Sequence, residues 1–158
     1  MSEVANPEYN PSGVADCIDT NKLPWMPLTQ VPGMSIKPAR ASGESGIFSL
    51  IFKLDAGSSL PASVYLGGMD MLILSGQAEY HQEGSQSILN PGTWGFISAN
   101  SRVNSFLAIE DTEVLANFHS GVAFLKEDGS LDSIFTALDV LQMAKDEKVL
   151  LVPNSLEA

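Results

Sequence analysis

Residues 47–54, IFSLIFKL, put Phe48, Leu50, Phe52 and Leu54 at every second position, so one face of the segment is apolar only if the chain is extended. The same two-residue rhythm returns in short runs along the chain. Strands are expected over 69–75, 77–81, 93–97, 102–109 and 113–125, parted by the turn signals Asp55-Ala56-Gly57, Glu83-Gly84-Ser85, Asn90-Pro91-Gly92 and Asp128-Gly129. Strands recurring about every eight to twelve residues with turns between them predict an all-β sandwich or jelly roll, not a parallel α/β sheet.

The flanks read differently. Prolines at 24, 27, 32 and 38 exclude a helix from the segment that begins at Ile18 and favour extended edge segments. Trp25, Met26 and Leu28 are too apolar to lie free in water, so they either cover the barrel's own core or pack on a second subunit. Beyond Ser133 the spacing of Ile134, Leu138 and Leu141 is helical. The expected organisation is a flexible arm over 1–17, a β-barrel over 18–132, and a C-terminal helix and tail over 133–158.

With 158 residues, 44% of them apolar, the chain can bury one compact core. Eight basic against nineteen acidic residues give a net charge of −11, which argues against nucleic acid as a partner. Cys17 is the sole cysteine, so neither an internal disulfide nor a thiolate zinc site is expected. The start, MSEVANPEYNPSG, lacks the basic and apolar regions of a secretion signal, and no apolar run approaches membrane-spanning length. A cytoplasmic protein without a membrane segment is the expectation.

The chemistry centres on GSSLPASVYLGGMDMLILSG, which runs from Gly57 to Gly76 without a histidine. Its glycine spacing resembles the first motif of the cupins: glycine, five residues, histidine, one, histidine, three or four, glutamate, six, glycine. On that frame the two histidine slots fall on Ser63 and Tyr65, and the glutamate slot on Met69. The second cupin motif, glycine, five residues, proline, one, glycine, two, histidine, places Gly92, Ser98, Asn100 and Val103; a one-residue slip would put Asn104 in the last slot. Asparagine suits the glycine position because it tolerates the left-handed backbone region.

Two histidines one residue apart share a strand face, which is why that spacing can build a metal cage. A hydroxyl, a phenol, a thioether and a hydrocarbon are a poor set for a divalent first-row ion. No metal site is therefore expected, and iron or zinc would need a site rebuilt from other residues. Asp70 lies on the opposite pleat from Met69. Of the two histidines, His81 precedes a polar hairpin and is expected to be exposed, whereas His119 is expected to point inward. There it would be either a hydrogen-bonded core histidine or an acid–base partner for Tyr65.

Beyond the motifs, IDTNKLPWMPLTQVPGMSIKPAR, GTWGFISA, AIEDTEVL and LKEDGSLDSIFTALDVL resemble the cupin family of acetylacetone dioxygenase and 2,4'-dihydroxyacetophenone dioxygenase, a family also related to the cupin domain of some anti-sigma factors. The resemblance implies a jelly-roll barrel with a short C-terminal helix, assembled as a dimer or tetramer. In members that keep the histidines it implies iron(II) and cleavage of a carbon–carbon bond in small diketones or hydroxyketones.

Three functions follow. The first is a metal-free cupin holding a small apolar or carbonyl-containing molecule, with Tyr65, Met69, Met71, Ile73, Phe96, Val103 and Asn104 as lining and Ser63 and Tyr65 as donors. The second is an enzyme, dioxygenase-like or cofactor-free, with His119 and Tyr65 as acid and base. The third is a non-catalytic regulatory or scaffolding dimer joined through the segment around Trp25 and Met26.

Overall fold

Strand alternation organises the computed structural model, which describes residues 17–149 and residue 151. Most of the expected arm, 1–16, and the end of the tail, 152–158, lie outside the described residues. The strands are β1 (Met26–Pro27), β2 (Met34–Ala41), β3 (Phe48–Leu54), β4 (Ser59–Leu60), β5 (Ser63–Tyr65), β6 (Met69–Ser75), β7 (Ala78–Gln82) and β8 (Ser85–Leu89). They continue as β9 (Trp94–Ile97), β10 (Ser101–Val103), β11 (Ser105–Ala108), β12 (Thr112–Phe118), β13 (Val122–Leu125) and β14 (Leu131–Phe135), followed by one helix, α1 (Ala137–Asp146).

One layer is a six-stranded antiparallel sheet in the order β1-β2-β3-β12-β6-β9. The facing layer is two four-stranded sheets, β10-β5-β13-β14 and β4-β11-β7-β8. The chain steps from one small sheet to the other between β4 and β5, and again at Asn104 between β10 and β11. Phe48, Leu50, Phe52 and Leu54 are all buried, as the alternation of β3 requires, and Phe52 meets Phe106 of the opposite layer edge-on at 6.0 Å. Among the described residues no helix is long and apolar enough to cross a membrane.

Four expectations change. The strand expected over 102–109 is two, β10 and β11, in different small sheets with Asn104 between them. The strand expected over 113–125 is two strands, because β12 pairs with β6 in the large sheet while β13 pairs with β5 in a small one. Residues 119–121 carry the chain between the layers. Residues 133–135, expected to open the helix, instead complete β14, which pairs with β13, so the barrel runs past residue 132. The helix begins after Thr136, whose N–H and hydroxyl both donate to the Asp139 carboxylate, at 2.8 and 3.2 Å. Its buried face is Ala137, Val140 and Ala144, small residues that let it approach β2, and not the Ile134, Leu138, Leu141 face. Leu138 is 65% exposed.

At the N-terminal side Met26 and Leu28 are buried in the chain's own core, so Met26 is not available to a partner. Trp25 is only partly covered, and the ammonium groups of Lys37 and Lys53 stand 4.5 and 4.8 Å from its ring centroid.

Candidate functional site

The glycine frame positions its side chains as the spacing predicts. Gly76 has φ +85°, and a Cβ there would stand 2.2 Å from the Asp111 carbonyl oxygen, so a side chain is barred on two counts. Asn100 takes φ 62°, the left-handed conformation asked of its slot. Ser63 and Tyr65 are on the same face of β5, Val103 of β10 is the register partner of Ser63, and Met69 opens β6 in the opposite layer. All four are buried, together with Met71 and Ile73.

What fills the space between them is aromatic. Phe118 stacks on Phe48 with centroids 4.5 Å apart and planes at 11°, and Tyr65 lies 6.2 Å away on its other side. Phe135 meets Phe48 edge-on at 5.7 Å. A cavity of about 20 Å³ remains among Leu50, Phe52, Leu60, Tyr65, Phe118 and Phe124. That is room for about one water molecule, against roughly 300–1,000 Å³ for an ordinary ligand site. The interior roles of Phe118, Phe124 and Phe135 went unassigned from sequence, although the alternation in β12 already puts Phe118 on the same face as Val114 and Ala116.

The polar groups of the frame are few. Ser63 donates its hydroxyl to the Pro61 carbonyl at 2.7 Å and is thereby occupied within its own strand segment. Among the described residues the one fully enclosed side-chain polar atom without a hydrogen-bond partner is Ser133 Oγ of β14, not the Tyr65 hydroxyl. Burial, and secondarily the nearby Tyr80, push the Tyr65 phenol well above the usual value, so the neutral form is strongly held. Burial also raises the Tyr80 phenol.

Three expected site residues stand elsewhere. His119 follows the inward Phe118 and so leaves on the outer pleat, half-exposed, with Nε2 3.2 Å from Asp70 Oδ1. Asn117 donates to the other Asp70 oxygen at 2.9 Å. His119 therefore cannot exchange a proton with Tyr65. Phe96 pairs with Asp70 on the outer face of the large sheet and is 59% exposed, which removes it from the lining. Asn104 is exposed at the step between the small sheets, its N–H donating to the His81 carbonyl at 2.9 Å. His81 is part-exposed, and its ring pairs with Glu79 at 3.0 Å.

Iron or zinc fits this interior poorly. Ser63 is committed to Pro61, Tyr65 resists ionisation, Met69 offers a neutral thioether and Val103 offers nothing. Among the described residues no three His, Cys, Asp or Glu side chains stand together as a metal group.

A two-layered antiparallel barrel with this glycine frame defines a cupin. Residues 14–123 match the profile of the ChrR cupin-like domain, and the chain belongs to that family. No curated protein matches its sequence. Among solved structures it is similar to a proposed acetylacetone dioxygenase from Methylibium petroleiphilum PM1, at 23% identity over 79% of this chain and 90% of that one, with a TM-score of 0.71. An acetylacetone dioxygenase from Acinetobacter johnsonii follows at 16% identity, 77% and 85% coverage and a TM-score of 0.68. An RmlC-like cupin protein from Ralstonia eutropha JMP134 has 17% identity, 84% and 88% coverage and a TM-score of 0.73. At these identities the likeness is one of fold.

The buried, neutral phenol of Tyr65 leads to a test at high pH. The folded chain keeps this proton above pH 10, where the unfolded chain releases it, so stability falls as pH rises, by up to about 1.4 kcal/mol per unit for one such group. Tyr65→Phe is expected to leave stability at pH 7 nearly unchanged and to flatten most of this alkaline loss, Tyr80 retaining a smaller share. Urea denaturation at pH 7, 10 and 11 measures both; an unchanged alkaline slope in Tyr65→Phe would count against a buried neutral phenol.

Proposed function

We propose that this chain is a non-catalytic cupin in which the family's ligand positions have become packed core, and that it acts as a regulatory or scaffolding module through its outer surface. The observation that carries the reading is the burial of Ser63, Tyr65, Met69 and Val103 against a stack of aromatic rings, positions whose own side chains make no donor set for a metal. The cupin barrel then supplies rigidity and not a reaction chamber, which the breadth of functions hosted by one fold permits.

Metal analysis of protein purified without chelator tests this. The expected result is substoichiometric iron, zinc and manganese, and a melting temperature unmoved by chelator. Stoichiometric metal, with a melting temperature lowered on its removal, would overturn the proposal.

A second reading has one observation in its favour: Tyr65, the one polar side chain of the lining, borders the small apolar cavity. A small apolar or carbonyl-containing molecule could accept a hydrogen bond from its hydroxyl if neighbouring side chains moved aside. Native mass spectrometry separates the two readings. A stoichiometric co-purifying adduct, lost in Tyr65→Phe, favours the ligand; the bare chain mass favours the scaffold.

A further inference from the structure

The six-stranded sheet ends in an open edge at β9. Ile73 donates to the Thr93 carbonyl at 2.9 Å, and the same register pairs Met71 with Gly95 and Met69 with Ile97, so the backbone groups of Gly95 and Ile97 face β6. The N–H and carbonyl of Trp94 and Phe96 therefore point away from the sheet, and among the described residues nothing bonds them. Strand β8 ends the facing layer and does not pair with β9. The other edge of the sheet, β1, is only two residues long and is blunted by Pro27, whereas β9 has neither a charge nor a proline. Such an edge is a template for one more strand.

The side chains of the same two residues define what that strand carries. Trp94 and Phe96 share the outer face and are 63% and 59% exposed. Trp25 has the Lys37 and Lys53 ammonium groups over its ring, but among the described residues no cation stands over Trp94 or Phe96. An antiparallel strand added to β9 sets two residues of its own, about 6.8 Å apart at positions i and i+2, directly beside Phe96 and Trp94, within reach of an ammonium or guanidinium for each ring. The net charge of −11 favours cations there. The residue between them falls beside Gly95 on the inner pleat, next to Met71, where an apolar side chain continues the core. This chain cannot supply that pattern to a second copy. No two of its eight basic residues are two positions apart, and two β9 edges paired with each other would leave all four rings uncovered.

We propose that β9 is a docking edge for an extended segment of another protein, one with Lys or Arg at alternate positions and apolar residues between, bonded antiparallel to the free backbone groups of Trp94 and Phe96. The docking edge rests on the non-catalytic reading, whose working part is the outer surface, and supplies the partner which that reading leaves open. Every strand pair in the sheet is antiparallel, which sets the direction.

The probe is the peptide acetyl-Thr-Arg-Val-Arg-Val-Arg-Thr-amide, titrated into full-length Trp25→Phe so that tryptophan fluorescence reports Trp94 alone. Saturable binding with a Kd on the order of 100 μM is expected. The same peptide with glutamate for arginine should bind at least tenfold more weakly. Backbone N-methylation of the arginines, whose N–H groups face β9, should also cost tenfold or more, and N-methylation of the valines, whose N–H groups face away, should cost little. Phe96→Pro removes a free edge donor without touching the bonds to β6, so it should weaken binding tenfold or more at unchanged circular dichroism. Should that variant lose its fold, the two N-methylated peptides decide the matter alone. No saturation below about 1 mM, equal affinity for the glutamate peptide, equal losses from the two N-methylations, or undiminished binding to folded Phe96→Pro would each overturn the proposal. So would a dimer of the chain alone that Phe96→Pro dissociates in analytical ultracentrifugation, because the edge would then belong to a second copy. None of these outcomes bears on metal content, which judges the non-catalytic barrel separately.

Discussion

Replacing Met69 by glutamate is expected to destabilise the chain by about 4 kcal/mol or more at neutral pH, a large share of the roughly 5–15 kcal/mol that holds a domain together. Met69 is 2% exposed and has Phe118 and Ile97 as its register partners on either side. It occupies the glutamate slot of the cupin frame, where a carboxylate would be buried between Phe118 and Ile97 among apolar neighbours. A carboxyl buried there has its folded pKa raised. Its proton is therefore bound more tightly in the folded state, and the added destabilisation from ionisation is absent below about pH 4.3 and grows as pH rises above it. Urea denaturation at pH 5 and pH 8 should show the larger loss at pH 8. A loss below about 1 kcal/mol that does not vary with pH would describe a hydrated pocket and would end the packed-core reading.

Much of this architecture is written locally. The bounds of β6 and the inward set of β3 follow from alternation alone, and the left-handed Asn100 and the crowded Gly76 follow from motif spacing. His119 stands outside for a reason that alternation in β12 already contains: Val114, Ala116 and Phe118 face inward, so the next residue takes the opposite pleat. Part of the rest is not local: the face a residue meets also depends on where strands break and with what they pair, and pairing is non-local. The outward position of Phe96 follows from its pairing with the outward Asp70, a β6–β9 register that neither strand shows alone. Asn104 stands at a step between sheets that leaves no mark in hydropathy. The helix start was an avoidable error. Thr136 and Asp139 stand at capping-box spacing, and giving that pair precedence over the apolar count would have left Ile134 to the preceding strand.

Truncating Phe118 to alanine addresses the same interior from the opposite direction. Its ring stacks with both Phe48 at 4.5 Å and Tyr65 at 6.2 Å, and it borders the 20 Å³ cavity. Removing it forfeits the burial of a large side chain and merges its volume with that cavity, for a loss of about 3–5 kcal/mol. In a domain of this size the melting temperature should fall by roughly 10 °C. The enlarged hole is lined by hydrocarbon and rings, so it should stay dry and accept a small aromatic such as benzene. Benzene is then expected to raise the melting temperature of Phe118→Ala and to leave the wild-type chain unmoved, because only the variant has space for it. If the wild-type chain is stabilised as strongly as the variant, its barrel already opens to a guest, and the frame that lost its histidines has kept a binding site.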